Sequence, residues 1–501
     1  MFVRKKKNKS GTISVQIIFK QRGKYRVAKT IGSSKDPERI ELLMSRANEY
    51  LRHPDEQPPL FSTLSETDII IKNFVENTSN PQIRTVGPET IFGTLFDRIG
   101  FNAVPVELFR HIVIARLAYP TSKLKTVDYL YRYRGLSVDV SKVYRFLDTL
   151  NRAYKEKVER IAYEYTKKTL GNISVVFYDM TTLYFEAEDE DDLRKIGFSK
   201  DGKFQCPQIM IGLLVGEGGY PIGYDIFEGN TFEGHTLIPT LEKIQKKYGF
   251  DRPVVVADAG LLSKDNIEKL IAQAYEFILG ARIKNEKDAV KTKILELAKD
   301  MKDGDSFSLE KTDGTRLIVT FSDKRARKDR YNREKGLKRL KKNIKSGKLT
   351  KQHINNRGYN KFLVLEGEVE VKIDEMKMKY DEVWDGLKGY VTNTTLEPAK
   401  IVEHYGHLWQ IEKAFRISKS DLRIRPIFHR VKRRIEAHIC IAFVAYAIYK
   451  ELERLLVLYK IEMSPKRAAE LTHTMYEMEY VLPHSKRTER TKLKNDAEQQ
   501  T

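Results

Sequence analysis

Two apolar runs constrain this chain more than any other feature. NISVVFYD ends on Asp179, and the apolar stretch of RPVVVADAG runs straight into Asp258. Both have the near-continuous, β-branched character of buried strands, so 173–177 and Val254–Ala257 are read as strands. A carboxylate at such a strand end is costly to bury unpaired. Taken singly, each aspartate reads as an ordinary turn residue, and the elements around them decide.

QCPQIMIGLLVGEG and YPIGYDIFEG read as two further strands joined as a hairpin around Gly218-Gly219. GHTLIPTLEKIQKKYG is a helix, SKDNIEKLIAQA another, and YEFILGA a last strand. The order is β-β-β-α-β-α-β, that of a ribonuclease H-like core. Asp179 and Asp258 then stand at the C-terminal ends of strands that can be neighbours, the edge where open α/β sheets bind ligands. Two carboxylates held close repel unless a proton or cation intervenes. A hard divalent cation such as Mg²⁺ takes oxygen ligands and keeps waters for substrate phosphates. A third ligand from a helix crossing that edge is expected at Glu412, in HYGHLWQIEKAFRISKS. Its plainer reading is an i+4 pair with Arg416, a contact of tenths of a kcal/mol.

The flanks divide the chain further. Residues 12–31 read as a β-hairpin turning at Gln21–Lys24, and Asp36-Pro37 as the cap and first position of a helix. The expected domains are 1–52, hairpin plus helix; 53–86, a polar linker and short strand; and 87–170, helical. The core's first part is 171–284, an insertion domain 285–388, the core's second part with the Glu412 helix 389–460, and a basic C-terminal region 461–501. In 87–170, KLKTVDYLYRYRG and VSKVYRFLDTLNR suggest a helix-turn-helix whose second helix offers Ser141, Lys142, Tyr144 and Arg145 to solvent or DNA. Helix pairs joined by short turns are common, and most do not touch DNA. Residues 398–420 read as one long helix. EAEDEDD, with Asp189–Asp192, reads as a solvated acidic loop without a role.

Composition narrows the partner. Lys and Arg number 90 against 69 Asp and Glu, a net charge of +21, which favours nucleic acid first and an anionic membrane surface second. The segment Lys324–Lys351 carries 14 Lys or Arg against two acids and reads as a phosphate-binding surface, or more plainly as a solvated helix or loop. Two distant cysteines, Cys206 and Cys440, give no zinc array and no disulfide framework, which fits a reducing cytosol. No apolar h-region follows the basic N-terminus, so no signal peptide is read. The longest apolar run, Ile439–Tyr449, is about half of a bilayer-spanning helix.

Asp179 in FYDMTTLYF, Asp258 in VADAGLLS and Glu412 in WQIEKAFR resemble the DDE transposases of prokaryotic insertion sequences. The group with a Y-x2-R-x3-E-x6-K signature is matched by Tyr405, Glu412 and Lys419 at the right spacing, whereas Leu408 stands where the signature has Arg. FEGNTFEGHTLIPTLE and LRIRPIFHR, with Arg425, also look like this group. The resemblance implies an α/β fold whose catalytic core is interrupted by a basic strand-containing insertion domain and preceded by a helical DNA-binding region. It implies metal-dependent cleavage and strand transfer with Asp179, Asp258 and Glu412 as catalytic residues and ligands of two Mg²⁺ ions, Mn²⁺ able to substitute. It implies double-stranded DNA as partner, both terminal inverted repeats and target, gripped by Tyr405, Lys419 and Arg425; Arg416, on the Glu412 helix face, and Lys142 and Arg145, on the second helix of the pair, are expected to add to the grip. A homodimer on paired ends is expected, cytoplasmic and nucleoid-associated, with no membrane partner. Two other classes stay open: a ribonuclease H-like nuclease or resolvase without transposition, and a domesticated, non-catalytic DNA-binding protein.

Overall fold

The structure is a computed structural model. It describes the 501 residues apart from 22, 53–65, 77, 79–81, 250–251, 347–353, 355–357, 367–369, 483–484 and 501. The expected linker and the end of the basic segment therefore lie largely outside the described residues. Two compact units are present, one of residues 1–84 with 476–494, the other of 85–475 with 495–501.

In the smaller unit, strands Phe2–Lys7, Ile13–Gln21 and Lys24–Ser34 form an antiparallel sheet. The sequence reading placed only the last two of these; the basic FVRKKK adds a third along Ile13–Ile18. Helix Pro37–Arg52 begins where Asp36 accepts the amide of Glu38, and it buries Ile40, Leu43 and Ala47 against Val15 and Ile17. Tyr476–Val481 and Thr488–Lys492 pair as a second, antiparallel ribbon.

The larger unit is built on one mixed sheet of eight strands. These are β1 (Val175–Tyr184), β2 (Gln208–Val215), β3 (Pro221–Glu228), β4 (Val254–Ala257), β5 (Phe277–Ala281), β6 (Ser306–Glu310), β7 (Arg316–Phe321) and β8 (Leu387–Thr392). Their order is β6-β7-β8-β5-β4-β1-β2-β3, with β1, β4 and β5 parallel and the other pairings antiparallel. Strands β6 and β7 come from the segment 285–388. They extend the central sheet through β8, so part of that segment is continuous with the core rather than folded apart from it.

Side chains alternate along β1. Val175, Phe177 and Leu183 enter one core, and Val176, Tyr178 and Met180 the other. The first core is closed by the helical region 94–170, by helix Trp409–Arg416 and by the long buried helix Lys432–Leu458. The second is closed by helices Leu237–Tyr248 and Lys264–Ala272. Among the described residues no helix is long and apolar enough to cross a membrane.

Three sequence expectations change. Strand β1 does not stop before Asp179 but continues to Tyr184, because β2 pairs antiparallel along its second half. The helix expected over 398–420 is broken into Pro398–Gly406, Trp409–Arg416 and a wider π-helical turn, Ile417–Asp421. The break falls at Gly406, a poor helix former. The acidic run is a built turn rather than a free loop: Asp191 accepts the amides of Leu193 and Arg194 and pairs with the Arg194 guanidinium.

Helices Lys123–Arg134 and Val140–Thr149 form the expected pair. Gly135 (φ 66°) ends the first, and Asp139 caps the second by accepting the Ser141 amide. Beside them four basic groups are buried: Arg116, Lys123, His429 and His438. Arg116 donates to the carbonyls of Leu422 and Arg423, and His438 Nε2 donates to that of Ile424 at 2.9 Å. Burial, with Lys123, Arg116 and Arg434 adding, pushes His429 down to about 3. An unfolded imidazole takes up its proton near pH 6.5, so below that pH the unfolded chain binds more protons than the folded one. This contribution to stability is complete above about pH 6.5 and is lost towards about pH 3, at about 1.4 kcal/mol per pH unit. His429→Gln should therefore flatten the fall of unfolding free energy between about pH 6.5 and 5 by up to one proton's slope. Equal slopes in denaturant titrations of the two proteins would contradict it.

Candidate active site

The last parallel pairs of β1 and β4 are Phe177↔Val256 and Tyr178↔Ala257. One residue further along stand Asp179 and Asp258. Adjacent strands lie roughly 4.8 Å apart, so register alone sets the two aspartates side by side. Parity sets their direction. Asp179 follows Phe177, and Asp258 follows Val256, onto the face covered by helix Trp409–Arg416. That helix packs on β1 and β2 through buried Ile411 and Ala414 and leaves the Glu412 side chain exposed. Among the described residues no ion pair joins Glu412 to Arg416.

Each carboxylate has a distinct environment. Asp179 is half-buried and accepts the Met180 amide at 2.7 Å. Burial pushes it up to about 6, opposed by Lys200 and reinforced by Glu233 and Asp258. Asp258 is exposed and accepts the Ala259 amide at 2.7 Å and the Tyr405 hydroxyl at 3.0 Å. Burial and then Asp258 push the Tyr405 hydroxyl up, so it stays a donor. Gly280 makes this contact possible, since a Cβ there would lie 2.5 Å from the Tyr405 oxygen. Lys388 Nζ stands 4.2 Å from the centre of the Tyr405 ring and feels both Asp258 and Glu412.

Two further groups complete the cluster. Lys200, from the loop between β1 and β2, donates to the Met180 carbonyl at 2.8 Å. It lies 2.7 Å from Glu233 and 3.9 Å from Asp179. Glu233 Oε2 is within 3.4 Å of where a Cβ on Gly260 would be, which brings it to the end of β4. Sequence reasoning missed both. Glu233 sits in FEGNTFEGH, a block singled out by resemblance, but nothing in its spacing marked it as facing Asp179. Lys200 comes from a loop without periodicity.

The remaining candidates are placed as follows. Tyr405 has its hydroxyl on Asp258. Lys419 Nζ is 3.3 Å from Asp201, to which Arg425 is also ion-paired. Arg416 is exposed on the Glu412 helix, and Lys142 and Arg145 are exposed on helix Val140–Thr149. Leu408, at the signature's Arg position, is buried in the first core. Of the basic segment, helix Asp323–Lys345 presents mostly exposed Lys and Arg. Arg333 instead turns inward to a bidentate pair with Asp385 at 2.6 and 2.7 Å.

The donors at the sheet edge are carboxylate oxygens, the set a hard divalent cation prefers. Burial is the main reason that Asp179 is held up near 6, with Glu233 and Asp258 adding to it against Lys200. By donor chemistry the residues fit such an ion, although among the described residues no three His, Cys, Asp or Glu are gathered tightly enough to hold one. The Tyr405 hydroxyl holds the Asp258 carboxylate in one orientation. Tyr405→Phe should weaken binding of a divalent cation such as Mn²⁺ by about 10- to 100-fold with little change in the unfolding midpoint, as for loss of a group that orients a ligand. Unchanged Mn²⁺ binding by Tyr405→Phe would contradict this.

Residues 171–448 match the family model described as transposase DDE domain. No curated protein matches the chain. Among solved structures, the piggyBac transposase synaptic complex with hairpin DNA is similar at 9% identity and a TM-score of 0.39, over 73% of this chain and 69% of that one. The Mos1 transposase paired-end complex with left transposon end is similar at 11% identity and a TM-score of 0.16, over 48% of this chain and 66% of that one. The matched segment holds Asp179, Asp258 and Glu412 and spans over half of the 501 residues, and the chain belongs to the transposase DDE domain family.

Proposed function

We propose that this transposase serves a prokaryotic insertion sequence of the Y-R-E-K group. It binds the element's terminal inverted repeats, cuts the DNA there and joins the 3′ ends to a target, with Asp179, Asp258 and Glu412 as the catalytic carboxylates. The observation that carries this is the register that aligns Asp179 with Asp258 beneath the Glu412 helix. The sheet order β3-β2-β1-β4-β5 supports a ribonuclease H-like core for this chemistry.

Two bound Mg²⁺ or Mn²⁺ ions would activate the attacking water or 3′-hydroxyl and stabilise the leaving oxygen. The chain's own part is positional. Asp179, Asp258 and Glu412 would hold the ions through their carboxylate oxygens. Tyr405 and the Ala259 amide hold Asp258 in one orientation. Arg416, Lys419 and Arg425 follow Glu412 in sequence and supply positive charge for the backbone of the strand being cut. Lys142 and Arg145, with the exposed face of helix Asp323–Lys345, grip phosphates further from the cut. Two copies of the chain act on paired ends, in the cytoplasm on nucleoid DNA.

A supercoiled plasmid carrying the element's two ends tests this reading. The unaltered chain should excise and insert the element in Mg²⁺. Asp179→Asn, Asp258→Asn and Glu412→Gln should each lower cutting at least about a thousandfold, as for a member of a catalytic unit, with end binding retained in a gel shift. Cutting without end preference would make the chain a nuclease. Binding without cutting by the unaltered chain would make it a regulator. Normal cutting by Asp258→Asn would remove the carboxylates from the reaction.

A further inference from the structure

The loop between β1 and β2 places two neighbouring residues of opposite charge into the site. Ser199 Oγ accepts the amides of Asp201 and Lys203 at 3.3 and 3.1 Å, and Gly202 takes a positive φ of 74°. This tight turn sends Lys200 and Asp201 to different partners. Lys200 Nζ reaches the acidic side, 2.7 Å from Glu233 and 3.9 Å from Asp179. Asp201 reaches the basic side and accepts from Lys419 Nζ at 3.3 Å while pairing with the Arg425 guanidinium. Lys419 and Asp201 are 12% and 16% exposed at their side chains, so this is not a solvated surface pair.

Two cations, one in the π turn and one in the loop directly after it, converging on one oxyanion form the arrangement that a DNA phosphate would meet. An ammonium between two carboxylates likewise stands where a cation belongs. We propose that Asp201 occupies, in the DNA-free chain, the position between Lys419 and Arg425 that a DNA backbone phosphate takes, and that Lys200 occupies the neighbouring cation position beside Asp179. Substrate binding then exchanges an internal Lys–Asp dipeptide for a metal ion and a phosphate. The exchange puts a cation where Lys200 stood and an anion where Asp201 stood, and nonspecific DNA has to displace Asp201 before it engages. This rests on the reading of Asp179 and its neighbours as the cutting site.

The test uses the full chain and a random-sequence DNA duplex followed by fluorescence anisotropy across salt concentrations. Asp201→Asn keeps the size of the side chain and removes the rival charge. It should bind the duplex about three- to tenfold more tightly at low salt, with the slope of log affinity against log salt steeper by about 0.9 for each phosphate newly contacted. Adding Lys419→Ala should cancel the gain. Lys200→Met should bind Mn²⁺ more tightly than the unaltered chain without DNA, read from the free-ion electron paramagnetic resonance signal. Equal or weaker DNA binding by Asp201→Asn and by Asp201→Ser, or loss of the fold in both, would make Asp201 a structural clamp and overturn the proposal. Equal or weaker Mn²⁺ binding by Lys200→Met would overturn its cation half. If Asp179→Asn abolishes cutting and Asp201→Asn gains nothing, only this inference fails; if Asp179→Asn cuts normally, the underlying reading fails.

Discussion

The parallel pairing of β1 with β4 is the constraint on which the site depends. Tyr178↔Ala257 is its last pair, and both strands put an aspartate in the next position. A slip of one residue would turn every side chain of one strand to the opposite face. The apolar residues forbid that slip. Val175 and Phe177 belong to one core, and Val176 and Tyr178 to the other, and β4 sends Val255 and Val256 to opposite sides in the same way. Hydrophobic burial on both faces of the sheet therefore holds two like charges side by side, where their own repulsion would separate them.

That repulsion is answered locally. Burial keeps Asp179 up near 6, Tyr405 donates to Asp258, and Lys200 and Lys388 bring ammonium groups among the acids. The same logic runs in reverse a few residues away, where Asp201 answers Lys419 and Arg425. The DNA-free protein thus carries internal counter-charges on both sides of its site.

The sheet was legible in the sequence where burial is two-sided. NISVVFYD and VVVAD could be placed because continuous apolar runs have few other solutions. The continuation of β1 past Asp179 was not legible, because MTTLYF owes its strand form to pairing with β2 rather than to its own pattern. The helix break at Gly406 and the π turn after Arg416 were hidden by an otherwise helical periodicity. Leu408 shows the value of burial: a sequence comparison marks it as a missing Arg, whereas the fold makes it a core residue. Lys200, Asp201 and Glu233 were out of reach for another reason. Loops bring them in from far along the chain, and spacing carries no trace of such contacts.

Whether Asp179 and Asp258 jointly hold a cation that serves DNA cutting is measured most directly by anomalous diffraction from crystals of the full chain bound to a DNA end in Mn²⁺. A manganese peak about 2.0–2.3 Å from a carboxylate oxygen of both Asp179 and Asp258, beside the phosphate at the cleavage position, is the result expected here. A peak that touches neither aspartate while the DNA end is engaged would contradict it.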